Sequence, residues 1–135
     1  EEAYRERSLD PAYTILEGQL GSAHGRSATS RLLEGPEPPT AIVAGGNQLL
    51  IGTLEELQRR ELRVGPDISL VSCDAISITE LFTPPIAVVR RDNRELGRRA
   101  AQMLLRHLDG EEVRQEVVLP TEFVPRESCA PPARP

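Results

Sequence analysis

The residues best suited to chemistry in this chain form two short polar clusters, each of which follows a short apolar segment. Gly46 and Asn47 follow the segment at 40–44, and Cys73 and Asp74 follow the segment at 68–72. An aspartate in this position can cap a helix, or its two oxygens can accept hydrogen bonds from a polar ligand such as a sugar. Both interpretations stay open, and we favour ligand contact by Asp74.

The other reactive residue types do not form a catalytic group in the sequence. His107 lies near the end of a predicted helix and is expected at the surface, and His24, in a glycine-rich connection, is expected to be solvated or to line a pocket. Cys73 has no neighbouring cation to stabilise a thiolate, so a buried structural thiol is expected. No metal-ligand spacing and no complete phosphate-binding glycine motif occurs. We therefore predict no catalytic residue, no metal, no cofactor and no enzymatic activity.

Composition limits the possible partners. The chain has 135 residues, enough for one domain, and a formal net charge of −5, which is unfavourable for holding the phosphate backbone of DNA. Its longest apolar runs are too short for a membrane helix, and its charged first residues do not resemble a signal peptide. Two cysteines cannot staple a fold, which favours a reducing, cytoplasmic setting.

Hydrophobic periodicity predicts alternating strands and helices. The predicted strands are 13–16, 40–44, 68–72, 86–89, 117–119 and 122–124, and the predicted helices are 1–8, 26–33, 47–61, a short one from 77, and 93–108. Asn47 is expected to cap the third helix, whose inner stripe is Leu50, Leu54 and Leu57. Ser77 with Glu80, and Asp92 with Glu95, are expected to form capping boxes.

This alternation predicts an α/β fold with a parallel sheet flanked by helices on both faces. Ligands collect at the carboxyl ends of the strands in such sheets. Gly46, Asn47, Cys73 and Asp74 are all expected at that edge. The sequence alone therefore indicates a binding site there.

The chain contains an ordered set of motifs: PTAIVAGGN at 39–47, Gly52, LRVGPDISLVSCD at 62–74, PPIAVVRR at 84–91, Leu96-Gly97, and LPTEFVPRES at 119–128. In order and spacing, these motifs resemble those of the effector-binding domain of the LacI/GalR family of bacterial transcription regulators. The resemblance implies a type I periplasmic-binding-protein-like subdomain, an effector-sensing function without a chemical step, and a cytoplasmic location.

The resemblance also implies a domain organisation. Residues 1–128 correspond to the C-terminal part of an effector-binding and dimerisation domain, in which 93–118 cross to an N-terminal subdomain absent from the chain. Contact with DNA is expected only through a helix-turn-helix headpiece, which is also absent. The proline-rich residues 129–135 have the composition of a disordered tail.

The family's effector cleft maps onto Asp74, Asn47, Gly46, Leu20 and Arg91. Leu20 replaces an aromatic that often stacks on the ligand, and Arg91 stands where glutamine is common. Gly46 lacks a side chain that contacts ligand in some members, Cys73 replaces an aromatic, and Ala75 replaces a second aspartate. These departures prevent transfer of any known effector, although a sugar is expected.

A homodimer interface is expected on one helix face and one short helix, comprising Gln48, Ile51, Gly52, Glu55, Ile78, Leu81 and Phe82. These residues could instead belong to the core. A second copy of the chain is also expected to cover the apolar stripe of the long helix, Leu96, Ala100, Met103, Leu104 and Leu108, because a patch of several hundred Å² is rarely left exposed.

Two alternative functions remain at this point. A periplasmic-type sugar-binding protein shares the expected architecture but requires export, for which no leader is visible. An α/β enzyme such as an isomerase or hydrolase would require a nucleophile and base at the strand ends.

Overall fold

The computed structural model describes residues 2–7, 13–112 and 116–132, which alternate helices with short strands as the sequence predicts. The elements are α1 (Glu2–Glu6), α2 (Ser22–Leu33), β1 (Ala41–Ala44), α3 (Asn47–Arg59), β2 (Ser69–Ser72), α4 (Ser77–Leu81), β3 (Ala87–Arg91), α5 (Asn93–Leu108) and β4 (Thr121–Val124). No helix within these residues is long and apolar enough to cross a bilayer.

The four strands form one sheet in the order β1-β2-β3-β4. β1 pairs with β2 in parallel, with Ala44 opposite Ser72, and β2 pairs with β3 in parallel, with Ser72 opposite Val88. β4 pairs with β3 in the antiparallel direction. The predicted α/β class is therefore confirmed, with a sheet that is mostly rather than wholly parallel.

The core lies between α3 and one face of the sheet. The predicted stripe of Leu50, Leu54 and Leu57 is buried, and it packs with Ile42 and Leu70 from the strands. The continuous apolar run at 40–44 predicts a strand buried on both faces, but only one face of β1 is buried. Ile42 and Ala44 are buried, whereas Val43 on the other face is 66% exposed, because none of the described elements covers that face.

Helices α2 and α3 cross at glycines. Gly25 and Gly52 are both buried, and a Cβ atom on Gly52 would collide with the carbonyl oxygen of Ser22. The crossing explains why α2 begins at Ser22 and not at 26 as predicted, because Gly25 belongs to the helix that packs on α3. It also removes Gly52 from the predicted dimer surface, since its surroundings are filled by the chain's own α2.

Two predicted helix caps are wrong and one is confirmed in part. The N-cap of α3 is Gly46, and Asn47 is the first helical residue. Ser77 is likewise the first residue of α4, after Ile76, so no capping box forms there. The Asp92 carboxylate caps α5 by accepting from the Glu95 backbone N–H at 2.9 Å. The Glu95 side chain binds Arg98 and Arg99 instead of returning to the cap.

Two predicted strands are not strands. Residues 13–16 and 117–119 have no regular secondary structure and join no sheet among the described residues. A strand requires a hydrogen-bonding neighbour, which local sequence cannot supply. The Tyr13 ring instead contacts the Tyr4 ring of α1, with centroids 5.8 Å apart.

Helix α5 and the C-terminal tail differ in how they contact the rest of the structure. α5 has no buried residue, and Leu104 and Leu108 of its apolar stripe are 58% and 71% exposed. That a second copy of the chain covers this stripe, and that residues 93–118 cross to another subdomain, both stay predictions.

The C-terminal tail expected at 129–135 is attached to the sheet at its start, because Ala130 exchanges two 3.1 Å hydrogen bonds with Ser69. Residues 133–135 lie outside the described part.

Candidate ligand-binding site

The ends of β1 and β2 bring the predicted site residues side by side. The Cys73 backbone N–H donates to the Ala44 carbonyl at 2.9 Å, which extends the pairing of the two strands by one residue. The turn at Gly46 and Asn47 therefore lies next to Asp74, as parallel strands require. Asn47 is exposed at the start of α3, where its side chain is accessible to a ligand.

The Ser72 side chain holds the backbone of Asp74 in place. Ser72, which is fully buried, donates from Oγ to the Asp74 carbonyl at 2.8 Å and accepts from the Asp74 N–H at 3.2 Å. The Asp74 side chain is 15% exposed. Ser72 was missed by the sequence reasoning, although a serine two residues before an aspartate is a known signal for such a turn. Asp74 thus presents a partly buried carboxylate at the edge of the sheet.

Arg91, at the end of β3, binds this carboxylate. Its Nη2 lies 2.5 Å from Asp74 Oδ1, and its Nε donates to Asn93 Oδ1 at 3.1 Å. The two predicted site residues, 17 positions apart in the chain, therefore form an ion pair. Arg91 also lines an open pocket of about 520 Å³ with Asn93 and Thr121. Neither of these two residues was predicted as part of the site.

Leu20 lies above the same turn. A Cβ atom on Gly46 would be 3.8 Å from Leu20 Cδ2, and the Leu20 side chain is 79% exposed. The segment that carries Leu20 rests on α2, where Gly18 packs so closely on the His24 ring that a side chain there would collide with it. His24 is consequently a helical residue with a buried Nε2 and not a solvated loop residue; no hydrogen-bond partner for this atom exists among the described residues.

Cys73 has the properties of a structural thiol. It is free and half-buried. Burial raises the pKa of its thiol, the Asp74 carboxylate raises that pKa further, and Arg91 opposes both effects. A thiol whose pKa is raised carries little nucleophilic thiolate at neutral pH.

The predicted interface residues divide between the surface and the core. Gln48 and Glu55 are exposed on α3, and Ile78 and Leu81 of α4 are 38% and 80% exposed. Ile51 is half-buried, and Phe82 packs partly against the core. Phe82 also lines an apolar cavity of about 640 Å³ with Leu54, Leu57 and Leu62. This cavity lies at the edge where β2 and β3 begin, opposite the edge that carries Asp74.

Metal ligands do not cluster in the part of the chain that the structure describes. Within it, no three His, Cys, Asp or Glu side chains come close enough together to hold an ion. The polar groups at the strand ends are donors and acceptors suited to a small polar molecule.

Comparison with known proteins places this arrangement in a defined class. The family described as "Periplasmic binding protein-like domain" matches residues 1–129. Among solved structures, a LacI family transcriptional regulator from Bifidobacterium animalis subsp. lactis superposes with a TM-score of 0.80 at 31% identity, covering 98% of this chain and 48% of that one. The lac repressor dimer bound to operator and the anti-inducer ONPF gives a TM-score of 0.79 at 26% identity, covering 96% and 39%.

Curated relatives narrow the class further. The transcriptional repressor CytR of Escherichia coli is 32% identical over 105 residues, which are 78% of this chain and 30% of the relative. The lactose operon repressor of Rhizobium radiobacter is 33% identical over 95 residues, which are 70% of this chain and 84% of that sequence. The chain belongs to the LacI/GalR family of transcriptional regulators and matches its effector-binding, periplasmic-binding-protein-like domain. It spans about a third of the length of the Escherichia coli relative.

Proposed function

We propose that residues 1–128 sense a small polar effector, such as a sugar, for a bacterial LacI-type regulator. The observation that carries this proposal is the position of Asp74. Its partly buried carboxylate stands at the carboxyl edge of the sheet beside the turn at Gly46 and Asn47. A preorganised acceptor in such a position suits hydroxyl or N–H donors of a ligand. Gly46, Asn47, Leu20 and Arg91 complete the contact surface on this side of the cleft.

The proposed mechanism is a binding switch without a chemical step. Effector closes two subdomains, and closure changes how a headpiece outside this chain binds DNA. Arg91 supports this mechanism because it joins the proposed site to the start of α5, the helix predicted to cross to the other subdomain. A ligand bound at Asp74 therefore acts directly beside the crossing segment. Such a regulator works in the cytoplasm, where the DNA is.

Replacement of the aspartate tests the proposal. Asp74→Asn keeps the side-chain size but removes the charge, and we expect it to weaken effector binding at least about tenfold, the cost of one charge-assisted hydrogen bond. The measurement is thermal shift and operator binding by the intact regulator across a panel of sugars and nucleosides. Asp109→Asn, at the exposed end of α5, removes the same charge away from the site. Equal effector responses in both variants would contradict the proposal.

We also propose that the regulator is a homodimer, as the lac repressor bound to operator is a dimer. The supporting observation is the apolar surface of α4, in particular Leu81 at 80% exposure, together with the exposed α3 residues Gln48 and Glu55. Leu81→Arg should shift the sedimentation of the intact protein towards the monomer. Glu37→Arg, in an exposed loop outside this surface, should not.

A further inference from the structure

Arg91 brings unused hydrogen-bonding capacity to the proposed site. Its Nη2 is engaged with Asp74 and its Nε with Asn93, but no acceptor for Nη1 is found among the described residues. The side chain is 48% exposed, so these donors can be reached from outside. A guanidinium that presents free N–H groups on one edge matches the two oxygens of a carboxylate.

The remaining acidic groups beside Arg91 have other partners. Glu122 accepts from Arg90 Nη2 at 2.6 Å, and Asp92 accepts from the backbone N–H of Glu95. Asp74 is thus the acidic group that Arg91 binds, and it does so through Oδ1 alone. Asp74 Oδ2 has no hydrogen-bond donor within the described residues.

This geometry separates ligands by charge. A neutral polyol can donate hydroxyls to the free lone pairs of the Asp74 carboxylate, but it offers no anion to the free edge of Arg91. An acidic ligand can bind the free edge of Arg91 with its carboxylate while one of its hydroxyls donates to Oδ2, and the ion pair stays intact. The start of α5 at Asn93 adds the positive end of a helix dipole next to the bound acid.

We infer that the effector is an acidic polyhydroxylated compound, a sugar acid in chemical class, whose carboxylate binds Arg91 while a hydroxyl donates to Asp74. The inference rests on the proposed function, because it assigns a ligand class to the same site. The acidic end of the ligand would lie in the pocket of about 520 Å³ beside Arg91. Arg90, Asp92 and Glu122 also line this pocket, and its two carboxylates are already bound, Glu122 by Arg90 and Asp92 by the start of α5.

Matched ligand pairs test the inference. The intact regulator is titrated calorimetrically with three pairs of ligands: D-glucuronate and D-glucose, D-galacturonate and D-galactose, and D-gluconate and D-sorbitol. In each pair, the acid has a carboxylate where its neutral partner has a terminal CH2OH group. We expect an acid in at least one pair to bind about tenfold or more tightly than its neutral partner. Arg91→Gln should remove that preference, and Arg31→Gln, on the exposed side of α2, should keep it.

The outcomes separate this inference from the proposed function. If no acid binds more tightly than its neutral partner, or if Arg91→Gln leaves the preference unchanged, the acidic class is overturned. A neutral sugar whose binding depends on Asp74 would overturn the acidic class and support the proposed function. Acid binding that survives Asp74→Asn unchanged would overturn the proposed site itself.

Discussion

The carboxylate of Glu56 lies 2.6 Å from Nε of Arg60, the residue that caps the C-terminus of α3, although the Glu56 side chain is only 2% exposed. Arg59 binds the same carboxylate through Nε at 2.8 Å. Arg60 also reaches Ser30 of α2 at 2.8 Å. One buried acidic group thus organises the polar side of the contact between α2 and α3.

The Glu56 network predicts acid sensitivity of the fold. Hydrogen bonds from Arg59 and then Arg60 lower the pKa of Glu56 from 4.5 to about 2. A carboxyl whose pKa is lower in the folded state stabilises the fold above its unfolded pKa and loses that effect as the pH falls. The contribution is therefore complete above about pH 4.5 and declines towards about pH 2.

Glu56→Gln should lower the free energy of unfolding at pH 7 by about 2 kcal/mol, because it removes the buried negative charge that Arg59 and Arg60 bind. Urea unfolding at a series of pH values measures the effect, and the difference from the wild type should narrow between pH 4.5 and 2. Glu37→Gln, in an exposed loop, should change stability by less than about 0.5 kcal/mol. A constant difference at every pH would contradict this assignment.

The glycine crossing of α2 and α3 predicts opposite effects of one substitution at two positions. Gly52→Ala places a methyl group against the Ser22 backbone and should cost about 2–3 kcal/mol through overpacking. Gly97→Ala, on exposed α5 with open space around it, should stabilise by about 0.5–1 kcal/mol through helix propensity. Denaturant unfolding of the two variants checks both signs. A Gly52→Ala variant as stable as the wild type would show that the helices do not cross so closely.

Local sequence signals predicted the elements that depend on local physics. The stripe of α3 and the cap at Asp92 follow from helical periodicity and capping chemistry, and the adjacency of Gly46 and Asp74 follows from the parallel sheet. Features that depend on a distant partner were missed. Residues 13–16 have strand composition but no neighbouring strand, and Gly52 could not be assigned to a helix crossing without knowing where α2 lies.

The pairing of Arg91 with Asp74 was also beyond the sequence. Both residues were predicted at the cleft by resemblance, but only the register of β2 against β3 shows that their side chains meet. Asn93 and Thr121 join the same pocket because α5 and β4 start beside the end of β3. Local periodicity holds no information on such side-chain geometry.

The third stability prediction concerns Ser128, where the C-terminal segment contacts the sheet. It is fully buried; its hydroxyl donates to the Leu70 carbonyl of β2 at 2.6 Å and accepts from the Ala87 N–H of β3 at 2.8 Å. Ser128→Ala leaves the Ala87 N–H without its partner and the Leu70 carbonyl with only the Cys129 thiol, 3.8 Å away, and should cost about 2 kcal/mol. Ser27→Ala, which removes an exposed hydroxyl bonded to His24, should cost much less. Hydrogen exchange should show faster exchange of the Ala87 amide in Ser128→Ala only, and unchanged protection there would contradict the role of Ser128 as the bridge between β2 and β3.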